Sequence, residues 1–411
     1  MPRRCICQHV LLEITNHCTK TNGFKNTLRN KKFPWRCLLK YCDARTCKRS
    51  VWSTKNAMAT KVVLVTGANG YIGNATARAF VREGWTTYGL IRSLESSTAL
   101  AAEEIHPIVG SIDETSSHQR IRQALPSTPD VIVSTTENTL DFVPHFNNIL
   151  ALIGILCAPK ETDNKLLPLV IYTAGSKDYG IGPNLANDPS LTPIDEKSVL
   201  RPPRFAASRV QHAPRIFDQP DLFDAVLVRP TNVYGRASSY YSICFRTGER
   251  IAAATGNPAQ RELVAPTRPE WISHALHIDD CANAYVAIAS APRERVRGEV
   301  FNVSSEGYES AADILEAIAV EYDIAGGIRY VDLDKVSSSE ASSLAMVVGF
   351  PQLVSSEKLR KATGWGSVRK PFSADFHTYR LAYEASKNMR DENVAKIGGT
   401  IKGLMSTVET P

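Results

Sequence analysis

The segment VTGANGYIG, from Val65 to Gly73, decides the fold of this 411-residue chain. It follows KVVLV, a β-branched run typical of a buried parallel strand, and precedes NATARAFVREG, whose apolar residues partly recur at helical spacing. Gly67, Gly70 and Gly73 lie at the spacing Gly-x-x-Gly-x-x-Gly. Glycine lets a backbone approach a pyrophosphate closely, and a helix N-terminus offers that anion free N–H groups. The segment therefore predicts a dinucleotide-binding loop between a strand and a helix.

Further strand-like segments follow, and helical patterns separate most of them. TTYGLIRS, HPIVGSID, DVIVSTT, LPLVIYTAGS and FDAVLVRPTNVYG predict the second to sixth strands, and GEVFNVSS predicts one more. This alternation predicts an α/β fold, a doubly wound parallel sheet of the Rossmann type with a smaller C-terminal substrate region. In that region SAADILEAIAVEY predicts an amphipathic helix. Its apolar face consists of Ala311, Ile314, Leu315 and Ile318.

Composition and pattern divide the chain into four parts. MATKVVLVTG, from Met58, resembles the start of a complete protein, so we expect the preceding stretch to be disordered or absent from the mature protein. The predicted parts are a basic N-terminal extension at 1–57, a nucleotide-binding domain at 58–240 to which 274–305 returns, a substrate-binding region at 241–273 and 306–385, and a peripheral tail at 386–411.

Charge is distributed unevenly along the chain. Residues 1–57 carry 13 of the 48 basic residues but only Glu13 and Asp43 of the 42 acidic ones, so the rest of the chain is slightly acidic. The pI near 8.8 is therefore no argument for nucleic acid. The longest apolar run, ILALIGILCA, is about half of the ~20 residues that a membrane span needs. We expect a small-molecule substrate, no nucleic acid and no membrane partner, with a homodimer as an open alternative.

Cysteine usage indicates a reducing compartment. Six of the nine cysteines precede Met58 without forming a Cys-x-x-Cys pair, so no metal site is expected. Cys157, Cys244 and Cys281 lie in apolar patterns that suit reduced thiols. We expect a cytoplasmic location, or a mitochondrial one if residues 1–57 are an Arg-rich presequence.

The end of the second predicted strand indicates which dinucleotide is preferred. A carboxylate there would bond the ribose 2′-hydroxyl of NAD, whereas a cation accommodates the 2′-phosphate of NADP. The strand ends in GLIRS, with Arg92 and Ser93 and no acid. Arg92 can pair bidentately with a phosphate while Ser93 donates a hydrogen bond. We therefore expect NADP, with NAD as the alternative.

Five patterns in order carry a family resemblance. VTGANGYIG, VLVRPTNVYG, HIDDCANAYVAI, GEVFNVSS and KLRKATGWG resemble the extended short-chain dehydrogenase/reductases, the NAD(P)-dependent epimerase/dehydratase family. The resemblance covers roughly Lys61 to Pro371. It implies a Rossmann domain that binds NAD(P), and a smaller C-terminal region that closes over a nucleotide sugar or a small carbonyl compound.

The resemblance also implies a set of cofactor-binding residues. They are Gly67, Asn69, Gly70, Tyr71, Ile72 and Gly73 at the pyrophosphate, Arg92 and Ser93 at the adenosine ribose, Ser111 and Ile112 near the adenine, and Thr135, Thr136, Pro230 and Val233 beside the nicotinamide and its ribose. For HIDD we expect a structural role, with Asp279 or Asp280 as the cap of the following helix.

The catalytic pattern of this family is broken. Members use a Ser or Thr, a Tyr that exchanges a proton with the substrate oxygen, and a Lys four residues later that lowers the pKa of the Tyr and holds the ribose. In LRPPRFAASRVQ the matching residues are Phe205 and Arg209, and Gly175 stands at the serine position. Phenylalanine has no proton to give, whereas Arg209 can still hold ribose hydroxyls as a forked donor.

Two functions remain compatible with this break. In the first, an NADP-dependent oxidoreductase or epimerase-type enzyme uses displaced groups: Tyr179 as proton donor, Lys177 to tune it, and Thr173 or Ser176 to orient a carbonyl, alcohol or nucleotide-sugar-like substrate. Asp178 and His212 are weaker acid–base candidates. In the second, the chain is a non-catalytic NADP-binding redox sensor or regulatory protein. We place the enzyme slightly ahead, because the substrate region is full length.

Overall fold

The computed structural model describes residues 60–158, 166–182, 184–237, 239–332 and 339–408. The predicted extension at 1–57 lies outside the described residues. By its internal contacts the chain from Ala59 to Pro411 forms one unit, which contains both the predicted nucleotide-binding domain and the predicted substrate-binding region.

A seven-stranded parallel sheet forms the centre of the fold and confirms the predicted fold class. Its strands are apolar runs, as expected for a parallel sheet that helices cover on both faces. They are β1 Val62–Thr66, β2 Thr86–Ile91, β3 His106–Val109, β4 Val131–Ser134, β5 Leu169–Thr173, β6 Asp224–Pro230 and β11 Val300–Val303. Across the sheet the order is β11-β6-β5-β4-β1-β2-β3.

The strand order reverses between β1 and β4. β2 and β3 extend the sheet on one side, and β4, β5, β6 and β11 extend it on the other. Ligands of doubly wound sheets bind outside the carboxyl ends of the strands at such a switch point. The glycine loop follows β1 and Thr135 follows β4, so both lie at this point. Thr135 Oγ1 donates a hydrogen bond to the Thr66 carbonyl at 2.6 Å and ties the two strand ends together.

Some of the helices cover the two faces of the sheet, and the others belong to the C-terminal region. The helices are α1 Tyr71–Arg82, α2 Ser97–Ala102, α3 Thr115–Ala124, α4 Phe142–Cys157, α5 Arg204–His212, α6 Ser242–Ala253, α7 Ile278–Ser290, α8 Ala311–Glu321, α9 Ser339–Val348, α10 Glu357–Thr363, α11 Phe376–Asn388 and α12 Glu392–Val408. Side chains alternate along β1: Val63 and Val65 pack with α1 and α7, whereas Leu64 packs with α4 on the opposite face. This packing fixes the carboxyl ends of the strands as one rigid edge.

A third apolar cluster forms the C-terminal region. The predicted amphipathic helix is α8, and all four residues of its predicted apolar face are buried. Ser310 caps α8 in a reciprocal capping box with Asp313. The short strands of the chain are β7 Asn232–Tyr234, β8 Leu263–Ala265, β9 Ile272–Ser273, β10 Ala275–His277, β12 Glu309–Ser310 and β13 Ile328–Tyr330.

The tail from residue 386, predicted to be peripheral, contacts the nucleotide-binding segment through Glu392. After α11 the chain turns into α12, and the Glu392 carboxylate accepts a hydrogen bond from the Ser96 hydroxyl beyond β2. The polar composition of the tail hid this contact, because the contact itself is made by polar groups. Among the helices of the described residues, none has both the length and the apolar character for crossing a membrane.

Candidate functional site

The glycine loop is packed too closely for a side chain at Gly67 or Gly73. Gly67 has φ +67°, and a Cβ there would lie 2.8 Å from Thr136 Cγ2. A Cβ on Gly73 would lie 2.2 Å from the Gly67 carbonyl oxygen and 2.7 Å from Thr135 Oγ1. The loop thus leaves a backbone-lined cradle at the switch point, below the free N–H groups at the N-terminus of α1. This cradle fits the pyrophosphate of a dinucleotide.

Tyr71 and Asn69 connect the glycine loop to other parts of the cleft. Tyr71 is half-buried, and its hydroxyl donates to the Gly235 carbonyl at 2.6 Å, beyond β7. Burial holds the pKa of Tyr71 well above its usual value, so this hydroxyl stays protonated. The Asn69 amide donates to Ser96 Oγ at 3.0 Å. Ile72 packs against the apolar cluster beneath α1, and Gly70 is the N-cap residue of that helix.

The end of β2 carries the side chains expected at the adenosine ribose. Arg92 is exposed, and none of the described residues forms a hydrogen bond or ion pair with it. The Ser93 hydroxyl donates to the Glu95 carboxylate. This hydrogen bond lowers the pKa of Glu95. Sequence reasoning saw no acid in GLIRS itself, but Glu95 brings a carboxylate to Ser93 from the next turn.

The loop beyond β3 is held by two side chains of α3. Ser117 Oγ donates to the Ser111 carbonyl at 2.6 Å, and His118 Nε2 lies 2.7 Å from the Ile112 carbonyl oxygen. Ile112 itself is buried in the apolar cluster beside α4. The loop therefore has a fixed backbone at the position predicted for the adenine.

A chain of three polar side chains links the loops beyond β3 and β4. Thr136 Oγ1 lies 3.3 Å from His145 Nε2, and His145 Nδ1 lies 2.7 Å from Asp113 Oδ1. Thr136 is thereby oriented beside the cradle. Pro230 is buried at the end of β6, and Val233 is buried in the middle of β7. Their contact with a nicotinamide stays a prediction.

Arg209 is the centre of a buried charge network. Its Nε and Nη2 donate to Asp178 Oδ1 at 2.8 and 2.5 Å, and its Nη1 donates to Glu137 Oε1 at 2.6 Å. Burial alone would lower the pKa of Arg209, but Glu137 and Asp178 raise it above its usual value. All three guanidinium nitrogens are therefore engaged by carboxylates. The predicted role of Arg209 at the ribose is not supported by these contacts, since Glu137 and Asp178 occupy its fork.

Tyr179, predicted as proton donor, is enclosed by other side chains, and its catalytic role stays a prediction. The ring is buried, and the hydroxyl donates to Asn302 Oδ1 at 2.8 Å. Arg229 Nη1 donates to the Tyr179 hydroxyl oxygen at 3.2 Å, and the Arg229 guanidinium carbon lies 5.2 Å from the centre of the Tyr179 ring. Burial raises the pKa of Tyr179 despite Arg229. Tyr179 is thus a packed core residue, since its proton already has a buried acceptor.

Thr173 and Ser176 are likewise engaged inside the protein. Thr173 Oγ1 shares a 2.9 Å hydrogen bond with the Tyr285 hydroxyl of α7. Ser176 is buried and donates to Gln352 Oε1 at 3.2 Å, while Gln352 Nε2 donates to the Ser176 and Gly180 carbonyls. These hydrogen bonds hold the loop beyond β5, and the role of either residue in orienting a substrate stays a prediction.

Lys177 is the one side chain of this loop whose polar group lacks a partner in the described part of the chain. No described residue forms a hydrogen bond or ion pair with Nζ. Nζ lies 5.0 Å from the ring centre of Phe350 and 5.8 Å from that of Tyr240. Burial, with a smaller contribution from the Arg209 charge, lowers the pKa of Lys177 to about 8. An amine that exchanges its proton near neutral pH therefore lies at the carboxyl edge of β5.

The two positions that replace the family's Tyr and Lys lie on one short helix. Phe205 and Arg209 are both in α5, and Phe205 is 48% exposed although it is a large apolar residue. Arg209 is buried, and a Cβ on Gly175 would lie 3.4 Å from its Nη2. His212, at the end of α5, is half-buried.

HIDD has the structural role that the sequence predicts, but a different residue makes the cap. His277 is the N-cap residue of α7, and its Nδ1 accepts from the Asp279 N–H at 3.1 Å. Asp279 pairs instead with Arg236 and Arg369, and Asp280 accepts from the Val368 and Arg369 N–H groups. The expectation that an aspartate caps α7 was wrong, since both carboxylates hold the segment beyond α10.

The sheet order and the glycine cradle are those of a dinucleotide-binding fold of the Rossmann type. Residues 63–141 match the model of the NAD dependent epimerase/dehydratase family. This match runs from β1 to the loop beyond β4 and agrees with the family that the sequence motifs resemble.

Known proteins agree with this assignment at the level of the fold. A serine 3-dehydrogenase of Agrobacterium fabrum is 42% identical over 67 residues, which are 16% of this chain and 27% of that protein. The UDP-glucose 4-epimerase of Thermotoga maritima, solved with UDP-glucose, has a TM-score of 0.59 at 13% identity over 79% of this chain and 99% of its own. The UDP-glucuronic acid 4-epimerase of Bacillus cereus, solved with UDP-glucuronic acid and NAD, has a TM-score of 0.57 at 16% identity over 79% and 99%.

Sequence reasoning missed several residues of the site. Glu137 and Asp178 were not recognised as the counter-ions of Arg209, although an arginine in place of a cleft lysine requires buried carboxylates nearby. Lys177 was assigned only a supporting role for Tyr179. Glu392 gave no signal at all, because nothing in a polar tail indicates which surface it covers.

Proposed function

We propose that this chain is an NAD(P)-dependent oxidoreductase or epimerase-type enzyme in which Lys177 exchanges the proton that the family's tyrosine would exchange. The observation that carries this proposal is the unpaired amine of Lys177 between Phe350 and Tyr240, at the carboxyl edge of β5. A structural lysine normally has a carboxylate or carbonyl partner, because an unpaired buried charge is costly. A functional one needs a pKa near the working pH, and a pKa of about 8 meets that need.

The substrate class follows from this chemistry. A bound NAD(P) would supply the acceptor or donor of a hydride at a substrate carbon. Neutral Lys177 would take the proton of the substrate hydroxyl during oxidation, and protonated Lys177 would return it to the carbonyl oxygen during reduction. We propose an alcohol or carbonyl of a nucleotide sugar or of a small hydroxy acid as the substrate, since the similar proteins act on such compounds.

The two half-reactions should have opposite pH dependences. Reduction requires the ammonium form, so its rate should fall as pH rises through about 8. Oxidation requires the neutral amine, so its rate should rise through the same pH. Arg209, with its partners Glu137 and Asp178, acts as a positioning residue for the loop that carries Lys177.

For the cofactor we propose NADP, with NAD as the alternative. Support comes from Arg92, whose side chain is exposed at the end of β2 and available for a 2′-phosphate. Asn69, the cradle of Gly67 and Gly73, and the loops beyond β3 and β4 would hold the remainder of the dinucleotide.

The experiment is turnover of the full chain and of Lys177→Met with NADPH and NADH over a panel of nucleotide sugars and small carbonyl compounds. We expect the variant to lose at least about 100-fold in turnover. Its affinity for the dinucleotide should stay within about twofold, and its free energy of unfolding should be unchanged or higher because a desolvated amine is removed. Lys358→Met is the matched control: Lys358 also lies over an aromatic ring, 5.2 Å from Phe301, but pairs with Glu299.

Unchanged turnover in Lys177→Met would overturn the role of this lysine. Dinucleotide binding without turnover of any compound in the panel, with different affinities for the oxidised and reduced forms, would favour the redox-sensor function instead. Phe205 in place of the family's tyrosine is the observation that keeps this second function in view.

A further inference from the structure

The first turn of α12 lies against the glycine loop. The Ser96 hydroxyl lies 3.0 Å from each carboxylate oxygen of Glu392, and the Asn69 amide donates to Glu392 at 3.4 Å. One turn later, Lys396 Nζ donates to the Asn69 carbonyl at 3.1 Å and to Glu392 at 2.8 Å. The hydrogen bond from Lys396, with those from Ser96 and Asn69, lowers the pKa of Glu392. A carboxylate anion from the C-terminal helix is therefore bound at this position.

This position is where the ribose end of a dinucleotide belongs. Asn69 lies in the loop that cradles the pyrophosphate, and Ser96 lies one turn beyond the end of β2, where the adenosine ribose binds in this fold. The Asn69 amide and the Ser96 hydroxyl also bond each other at 3.0 Å. The two donors thus span the space between pyrophosphate and ribose, and Glu392 accepts a hydrogen bond from each of them.

The charges around this space are balanced between the two forms of the cofactor. Arg92 and Lys396 are cations that attract a 2′-phosphate, whereas Glu95 and Glu392 are carboxylates that repel it. Ser93 and Ser96 donate to these two carboxylates, so the hydroxyls that a phosphate needs are already engaged. A 2′-hydroxyl carries no charge and can itself donate to a carboxylate, so it does not need to displace one.

We propose that Glu392 is a specificity-determining residue that competes with the 2′-phosphate of NADP for Asn69 and Ser96. An incoming 2′-phosphate displaces the carboxylate from these donors and takes Lys396 and Arg92 as its cations. NAD leaves Glu392 in place. This inference rests on the proposed binding of a dinucleotide at the glycine loop, and it makes α12 part of the cofactor site.

The test is the dissociation constant of NADP⁺ and of NAD⁺ for the full chain and two variants, measured by calorimetry. Glu392→Gln keeps the shape of the side chain but removes the competing charge, so NADP⁺ should bind about tenfold more tightly while NAD⁺ changes by less than about twofold. Lys396→Gln removes a cation and should weaken NADP⁺ alone. The gain in Glu392→Gln should shrink as salt is added, because the interaction is between exposed charges.

The chain offers a matched control. Glu357 and Lys361 form a pair at the same spacing on α10 as Glu392 and Lys396 on α12, with exposed side chains. Glu357→Gln should leave both dissociation constants unchanged. If Glu392→Gln weakens NAD⁺, or leaves NADP⁺ as in the wild type, the competition is wrong. If no form of the chain, including the wild type, binds either dinucleotide, it is the proposed function that fails.

Discussion

The loops beyond β1 and β5 lie at the same edge of one sheet but are stabilised in different ways. The first contains glycines that are packed so closely that a Cβ on Gly73 would collide with the Gly67 carbonyl oxygen and with Thr135 Oγ1 of the loop beyond β4. The second is stabilised by side chains: Asp178 pairs with Arg209, and Ser176 bonds to Gln352. The comparison shows that the shape of the loop beyond β1 depends on backbone packing, whereas that of the loop beyond β5 depends on contacts between a few side chains.

The largest effect on dinucleotide affinity is expected for Gly73→Ala, which tests the backbone packing of the loop beyond β1. The new Cβ would lie 2.2 Å from the Gly67 carbonyl oxygen, so the loop must shift and the cradle opens. We expect dinucleotide affinity to fall by more than about 100-fold, because the displaced N–H groups no longer converge on the pyrophosphate. Calorimetric titration measures the loss.

Gly307→Ala is the control for this variant, because a Cβ on Gly307 meets nothing within 4 Å. Its affinity should equal that of the wild type. Wild-type affinity in Gly73→Ala would show that the cleft does not depend on the close approach of the two loops, and the comparison would lose its basis.

The second effect concerns the free energy of unfolding and tests the side-chain contacts of the loop beyond β5. Arg209→Met leaves Glu137 without its bond and Asp178 with only a 3.4 Å contact to Arg229. Removing one partner from a buried charge network costs about 3–5 kcal/mol in the free energy of unfolding. Urea unfolding followed by circular dichroism measures this cost.

An exposed ion pair provides the contrast. Arg329 pairs with Glu262 at the surface, with both side chains about half exposed, so Arg329→Met should cost less than about 1 kcal/mol. Equal costs for the two variants would mean that the Arg209 network is not buried enough to hold the loop beyond β5.

The smallest effect is expected at the ribose end. Arg92→Ala should weaken NADP⁺ by about tenfold, the lower range of a charge-assisted hydrogen bond, and leave NAD⁺ within about twofold. Arg120→Ala, an exposed arginine on α3, serves as control. Parallel loss of both dinucleotides would show that Arg92 contacts a part common to the two, and its assignment to the 2′-phosphate would be incorrect.

The sequence predicted the glycine loop beyond β1 well, for a physical reason. A strand, a glycine spacing and a helix are contiguous, so Gly67 to Gly73 carry their structural requirement in local order. The face of α8 was predictable on the same ground, since helical periodicity alone determines which residues are buried.

The surroundings of Lys177, Tyr179 and Glu392 were not predictable in the same way, because they depend on contacts between residues that are distant in the sequence. The low pKa of Lys177 depends on burial beside Tyr240 and Phe350, which lie on separate segments. Tyr179 was predicted as the proton donor from its position in the loop, but the acceptor of its hydroxyl proton is Asn302 in β11. Glu392 reaches Ser96 only because α12 folds back over the nucleotide-binding half.

The most direct test of the central claim is the pKa of Lys177 in the full chain. It can be followed by NMR after isotope-labelled methylation of the lysines, with Lys177→Arg to assign the resonance. We predict one resonance that titrates at about pH 8 and is missing from the variant, well below the ~10.4 of a lysine in a model peptide. If the Lys177 resonance titrates together with the surface lysines, its amine is fully charged at neutral pH, and the proposed proton exchange is contradicted.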